Sequence, residues 1–421
     1  MKDAYFNLGI SPVKALIPNK SIPLSTWCTI ACDQYTSDCG YWAQVDAAVG
    51  ENPSTLRMIL PECYLECPSK NDRIAAIGTA MEDYLTKGIL NELPEGFILL
   101  KRTFKEGHSR NGLILALDLE RYSYAPGAKT LIRCTEGTIE SRIPPRLAIR
   151  KDAPLELPHI LVLINDAGHT VIEPLFEQAA NRTPIYEGEL SYDMGSIVGY
   201  HIPLCESGEL LKAFTALYDA GGEDPMLFAM GDGNHSFATA KAHWEMVKKD
   251  LTPEEQRSHP ARFAMCEVVN LHNEGLLSES IHRFLFTPHK DAADFIFDHM
   301  TYMGATISVC GPNTPGALGY QMDGIAGYVK VTLDDDRLLL SLLDDAIAAY
   351  ISVHDGTWVD YIHGEKETRA LSQRGVGFIL PPFDKSSLFP YVMKNGPLPR
   401  KTFSLGEAND KRCYLEARRI K

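Results

Sequence analysis

Near the middle of the chain, Gly231-Asp232-Gly233-Asn234-His235-Ser236 gathers a carboxylate, an imidazole and a hydroxyl within a glycine-rich corner. The apolar run before it, Pro225 to Met230, has the length and composition of a buried strand. After it, Phe237, Ala240, Trp244, Val247 and Leu251 fall on one helical face, with Ser236 or Asn234 as the expected N-cap. A strand that turns through glycine into a helix aims backbone N–H groups and a positive dipole end outward. Such a corner suits an anion, usually phosphate. Asp232 and His235 would then stand at its mouth, where proton transfer is useful. The same residues also make an ordinary capped turn, so their types alone leave both readings open.

Other candidates lie far away in sequence. Arg133, Arg142, Arg146 and Arg150 place four guanidinium forks within eighteen residues, an anion-recognition signal or a solvated face paired with Glu136, Glu140 and Asp152. Asp33, Gln34 and Tyr35 follow an apolar stretch and read either as substrate contacts or as plain surface. His282 and Arg283 form a phosphate clamp or solvate a strand edge. Arg400, Lys401 and Thr402 put two cations and a hydroxyl on one loop. The ten cysteines cluster only at Cys28, Cys32 and Cys39 and at Cys63 and Cys67, without zinc-site spacing. They read as reduced structural thiols.

The elements that must position these groups mix helix and strand without strict alternation, which gives an α+β fold with mixed sheets. Helical periodicity runs from Asn71 to Lys87 and from Leu210 to Ala220. Strands are expected over 97–104, 113–119, 158–165 and 263–271. Tyr328 to Leu333 is expected to form a hairpin with Leu338 to Leu342, and Cys413 to Ile420 to form a final strand. At 421 residues the chain divides into several domains, expected at 1–205, 206–290 and 291–421. The formal charge of −14 argues against nucleic acid or an anionic membrane as partner, and leaves a small-molecule substrate. No apolar run reaches membrane-spanning length and the N-terminus is not a signal peptide, so a cytoplasmic location is expected. The oligomeric state stays open.

Met230 to Ala240 resembles the Asp-Gly-x-His signature of the domain of unknown function 1015 family (DUF 1015). So do Ile30 to Ser37, Pro53 to Leu56, Thr135 to Thr138, Ile143 to Arg146, Ile281 to Arg283 and Leu398 to Phe403, in the family's order. That signature is similar in turn to the phosphate-binding corner of the ParB/sulfiredoxin superfamily, which includes free-serine kinases. The resemblance implies a core of that type, ATP or another nucleotide with Mg2+, and phosphate held by Gly231, Gly233, Asn234, His235 and Ser236. It implies an ATP-dependent phosphotransferase for a small hydroxylated metabolite, with Asp232 or Glu136 as base or metal holder. The alternative is a non-catalytic nucleotide- or metabolite-binding protein. Sulfiredoxin-like redox chemistry would need a cysteine at the corner, and Cys266 lies only in the following strand. Ser236 stands where the signature has arginine, so another cation must compensate: Arg133, Arg146, Arg283, Arg400 or Lys401.

Overall fold

The computed structural model describes residues 1–125 and 127–421. They pack into two compact units. The first comprises Met1–Leu276, Ser386–Pro397 and Gly406–Lys421, and the second Leu277–Lys385 with Leu398–Leu405. The expected boundary at 205 lies inside the first unit, because strands from both sides of it share one sheet. The expected boundary at 290 moves to 276, because the strand from Ser278 is built into the sheet of the second unit.

The first unit is built on nine strands: β1 (Ile10–Ser11), β2 (Gly96–Thr103), β3 (Ser109–Asp118), β4 (Ile132–Arg133), β5 (Leu161–Ile164), β6 (Tyr186–Glu189), β7 (Ser196–Pro203), β8 (Phe228–Asp232) and β9 (Phe263–Asn270). Their order is β4-β8-β5-β9-β3-β2-β7-β6, with β1 paired to β3. β8 runs parallel to β4 and antiparallel to β5, while β9 runs parallel to β5, so the sheet is mixed. Successive residues of a strand point to opposite faces. Leu113, Leu115 and Leu117 of β3 accordingly enter one apolar cluster, and Ile114 and Ala116 the other. The first cluster is closed by helices α3 (Gly208–Ala220) and α4 (Asn234–Val247), through Phe214, Phe237 and Trp244. The second is closed by α1 (Lys70–Thr86), through Ile77, Met81 and Tyr84. With both faces covered, all eight residues of β9 are buried. Helix α2 (Ile143–Arg150) lies against α4.

One buried residue of β9 is charged. Glu267 sits between the guanidinium groups of Arg110 and Arg412, each 3.1 Å away. Gly112 on the neighbouring strand makes the room: a Cβ there would stand 2.6 Å from Glu267 Oε1. Arg110 also donates to the Asp410 carbonyl at 2.8 Å and Arg102 to that of Asn409 at 3.1 Å. Arg412 pairs with Glu416, and Arg418 with Glu156, at 2.6 and 2.7 Å. This ionic cluster fastens the C-terminal segment 409–418 onto the sheet. Removing one partner would leave a buried charge uncompensated, at a cost of about 3–5 kcal/mol. The final strand expected from Cys413 shrinks to Arg418–Arg419 plus bridges at Tyr414 and Ala417, because charged pairs rather than a strand ladder hold this segment.

The second unit has its own sheet of β10 (Ser278–Phe286), β11 (Thr306–Val309), β12 (Leu318–Met322), β13 (Ile325–Thr332), β14 (Trp358–His363), β15 (Gly375–Ile379) and β16 (Phe403–Leu405). The order is β11-β13-β12-β15-β10-β14, with β16 paired to β10. Helices α5 (Ala292–Tyr302) and α6 (Leu339–Val353) bury Ile296, Met300, Leu343 and Ile347 against Leu285, Val376 and Phe378. The hairpin expected after Leu333 does not form. Leu339 and Leu340 instead begin α6, since Leu343, Ala346, Ile347 and Tyr350 continue the apolar spacing at helical period. Among the described residues no helix is long and apolar enough to cross a membrane.

Candidate functional site

The corner expected from the sequence forms as a strand–turn–helix. β8 ends at Asp232 after a register shift between Met230 and Asp232, and α4 begins at Asn234. The N-cap is Gly233, not Ser236 or Asn234. Its φ of +77° suits glycine, and a Cβ would meet the Ile160 backbone at 3.2 Å. A glycine cap offers no side chain, so none caps the first turn of α4. Asn234 Oδ1 is buried with no hydrogen-bond partner among the described residues.

Around this turn the fold brings together groups from four distant stretches. Asp232 Oδ1 accepts from Gly233 N–H at 2.8 Å, and Oδ2 lies 3.3 Å from Lys411 Nζ. Burial alone would raise the Asp232 carboxyl, but Lys411 and then His159 outweigh it and hold it below the usual carboxylate range. His159 Nε2 is 3.2 Å from Ser236 Oγ and 3.6 Å from Asp33 Oδ2. Its Nδ1 is 2.7 Å from the Tyr414 hydroxyl, which also accepts from Cys32 N–H at 3.3 Å. His159 thus spans the site, with Nδ1 against Tyr414 and Nε2 facing Ser236 and Asp33.

Beside His159 and Ser236 opens a cavity of about 140 Å³. Arg146 and Glu62 form an ion pair in its wall. Burial raises the Glu62 carboxyl above its ordinary value despite Arg146, and Asp33 adds to the rise. Arg146 is held there by α2, which also carries Arg150 of the four clustered arginines.

Of the residues singled out in the sequence, Asp33, Arg146, Asp232, Gly233, Asn234, His235 and Ser236 gather here. His235 Nε2 accepts from Ile139 N–H at 3.1 Å, and Thr135 Oγ1 donates to the Met230 carbonyl at 2.5 Å. The loop carrying half-buried Glu136 is thereby strapped across the corner. Gln34 supports Asp33 through a bond to its Oδ1 at 3.2 Å. Tyr35 turns the other way, stacked on Tyr41 at 4.0 Å with its hydroxyl 3.4 Å from Asn409 Oδ1.

Arg133 is taken elsewhere: buried at the sheet edge, it pairs with Asp224 at 2.5 Å and donates to Thr130. His282, Arg283, Arg400, Lys401 and Thr402 belong to the second unit. There Arg283 is fully buried, its donors spent on both oxygens of Asp344 and on the carbonyls of Ile281, Arg400 and Lys401. His282 Nδ1 accepts from Leu380 N–H, and Thr402 Oγ1 donates to the Pro399 carbonyl. These bonds tie the strand and loop together within the second unit. Arg283 and Thr402 are both buried, Arg283 lying on β10 opposite Tyr361 and Phe378.

Sequence reasoning missed His159, Tyr414, Lys411 and Glu62. His159 carried one faint signal, a polar residue just ahead of an apolar strand. Tyr414 and Lys411 carried none, since only the ionic cluster under segment 409–418 brings them to a corner some 180 positions earlier in the chain. Among the described residues, no group of three or more His, Cys, Asp or Glu side chains is arranged to hold a metal ion.

No curated protein matches the chain. Solved structures similar to it include a free serine kinase variant in complex with AMP (TM-score 0.39, 8% identity, covering 73% of this chain and 92% of that one). They also include SbnI with a C-terminal truncation from Staphylococcus aureus (0.39, 11%, 72% and 85%) and a conserved hypothetical protein from Pyrococcus furiosus (0.34, 10%, 72% and 90%). With all three TM-scores below 0.5, these likenesses are distant. The model of the family described as Protein of unknown function (DUF1015) matches residues 10–360, most of the chain, and the protein belongs to that family.

Proposed function

We propose that the chain is an ATP-dependent phosphotransferase acting on a small hydroxylated metabolite, with the nucleotide phosphates at the Gly231–Ser236 corner. The observation that supports this reading is the convergence of Asp33 and Ser236 on His159, together with the Asp232–Lys411 pair, at a helix N-terminus that no side chain caps. Phosphoryl transfer asks mostly for positioning and charge neutralisation. Backbone N–H groups of the first turn, the Ser236 hydroxyl and the Lys411 ammonium would bind the phosphates. Asp33 would accept the proton of the attacking hydroxyl as the new P–O bond forms and the bond to the departing diphosphate breaks. His159 Nε2, beside both Asp33 and Ser236, would hold them in place. Asp232, whose oxygens are engaged and whose carboxyl is held low, suits orientation better than proton transfer.

A magnesium ion arriving with the nucleotide would neutralise phosphate charge. The few carboxylates here fit an ion that takes most of its ligands from phosphate and water, with Asp232 and Glu136 as the residues to hold it.

A second reading, a non-catalytic nucleotide- or metabolite-binding protein, has one observation in its favour. The corner is poor in cations: Arg133 and Arg283 are spent on carboxylates, and Arg146 is paired with Glu62.

The test is thermal-shift titration of the full chain with ATP, ADP, CTP and GTP plus magnesium, on wild type and on Ser236→Asp. The variant keeps a favourable first-turn charge but repels phosphate. Saturable stabilisation of the wild type, lost in a still-folded variant, is the expected result. Transfer of labelled γ-phosphate to an alcohol then separates the two readings. If no nucleotide stabilises the wild type, both nucleotide readings fall.

A further inference from the structure

Three of the five clustered cysteines meet on the first unit. Cys39 opens the helix Cys39–Val49, which Asp38 caps by accepting from Tyr41 N–H at 3.0 Å. Cys63 lies in the short turn Glu62–Tyr64, and Cys67 follows it. The thiols of Cys39 and Cys67 both donate to one acceptor, the Cys63 carbonyl, at 3.6 and 3.8 Å. The carbonyl oxygen and the Sγ of Cys63 branch from the same Cα, so the Cys39 thiol is also a neighbour of the Cys63 thiol. Burial first, then Cys39 and Cys67, push the Cys63 thiol up to about 12, with Arg73 working the other way. Cys39 is exposed and Cys63 half-buried, whereas Cys28, Cys134, Cys266 and Cys413 are buried. Packing therefore does not account for Cys39, and its reactivity is what remains. The two stretches that meet here also lead to the candidate site. Trp42 Nε1, on the same helix, donates to the Gln34 carbonyl at 3.2 Å, next to Asp33. Glu62, adjacent to Cys63, donates its N–H to the Cys32 carbonyl at 2.8 Å and pairs with Arg146.

We propose that Cys39 and Cys63 form a thiol–disulfide exchange site whose substrate is a low-molecular-weight disulfide. The Cys39 thiol, the one a reagent reaches first, loses its proton to water and its sulfur attacks the small disulfide. A mixed disulfide forms on Cys39 and one small thiolate leaves. With Cys39 bonded in this way, its share of the rise on Cys63 is removed. The Cys63 sulfur then gives up its proton, attacks Cys39 Sγ and expels the second small thiol. Two protein thiols are oxidised and one small disulfide is reduced to two thiols. The new bond ties the stretch carrying Asp33 to the stretch carrying Glu62. This exchange does not depend on what the Gly231–Ser236 corner binds.

The test uses the full chain, reduced and then held in graded mixtures of oxidised and reduced glutathione. Remaining thiols are blocked with N-ethylmaleimide, and linked peptides are identified by mass spectrometry. Cys39 joined to Cys63 should be the main intramolecular link, and dithiothreitol should reverse it. Cys63→Ser should stop the reaction with glutathione still bonded to Cys39. Cys39→Ser should slow oxidation of Cys63 at least tenfold, the order expected when the exposed attacking thiol is lost. Cys67→Ser should leave the link intact. The bond spans a sequence separation of 24, so the oxidised wild type should melt about 5 °C above the reduced protein. A link from Cys39 to Cys67 overturns the inference, as does glutathione that stays on Cys39 of the wild type. A Cys39–Cys63 link that fails to raise the melting temperature overturns it as well, since the native fold would then not hold the pair in place.

Discussion

Lys411 is the cation on which the corner depends, and Lys411→Met isolates its charge while keeping the packing of its stem. Its Nζ lies 3.3 Å from Asp232 Oδ2, with the two side chains 13% and 26% exposed. At an effective dielectric constant of about 20, two unit charges at this distance attract by about 5 kcal/mol, most of which desolvation takes back. The net value of such a charged hydrogen bond is about 1.5–3 kcal/mol. Urea denaturation at pH 7 should show the variant less stable by that amount, at unchanged m-value. The pH dependence identifies the partner. Asp232 has its carboxyl held below the ordinary value, so its contribution is complete above the unfolded pKa and is lost as pH falls through the folded one. Without Lys411 the carboxyl protonates at higher pH. The difference between the two proteins should therefore be flat from pH 6 to 8 and shrink as the pH approaches the ordinary carboxylate value of about 3.9. A difference that stays constant or widens down to pH 4 would refute the assignment of Lys411 to the Asp232 carboxylate. If the corner binds phosphate, the variant should also lose about tenfold in nucleotide affinity, equivalent to about 1.4 kcal/mol.

Gly233→Ala forces a side chain into the left-handed region at about 1–2 kcal/mol and against the Ile160 backbone besides. Chemical denaturation should register at least that loss, and the thermal response to nucleotide should disappear. His159→Phe removes the partner of both Ser236 and Tyr414, with an expected cost of about 1–3 kcal/mol. Phosphoryl transfer should collapse while nucleotide stabilisation persists within about threefold, and equal loss of both would remove His159 from the acceptor side. Arg283→Met, paired with Asp344→Leu so that no charge is left buried, should change stability by no more than about 2 kcal/mol and leave nucleotide binding unaltered. A large drop in nucleotide affinity in that double variant would restore Arg283 as a phosphate ligand.

Local patterns in the chain announced local structure well. Phe237, Ala240 and Trp244 recur at helical spacing and are buried together, and Thr252-Pro253-Glu254-Glu255 forms the capping box that its residue types favour. Gly233 and the strand before it were visible for the same reason, since a corner is a property of adjacent residues. What the chain concealed is everything decided by burial at long range. An arginine on a strand looks alike whether it binds phosphate or a carboxylate of its own chain. Arg133 and Arg283 do the latter, because Asp224 and Asp344 happen to face them in the folded chain. Leu338 to Leu342 reads equally well as strand or helix until the next two turns of α6 are counted.

The site itself depends on the least predictable feature of all, a C-terminal segment with little regular structure. Lys411 and Tyr414 reach the corner only because Arg102, Arg110, Arg412 and Arg418 clamp residues 409–418 to the sheet through Glu156, Glu267, Glu416 and backbone carbonyls. Such buried ion networks are weak evidence for stability when compared with hydrocarbon, and what this one does is hold the path of the segment. Here that geometry sets the cation beside Asp232 and the hydroxyl beside His159. A change deep in the network, far from any ligand, should therefore disturb the corner as surely as a change within it.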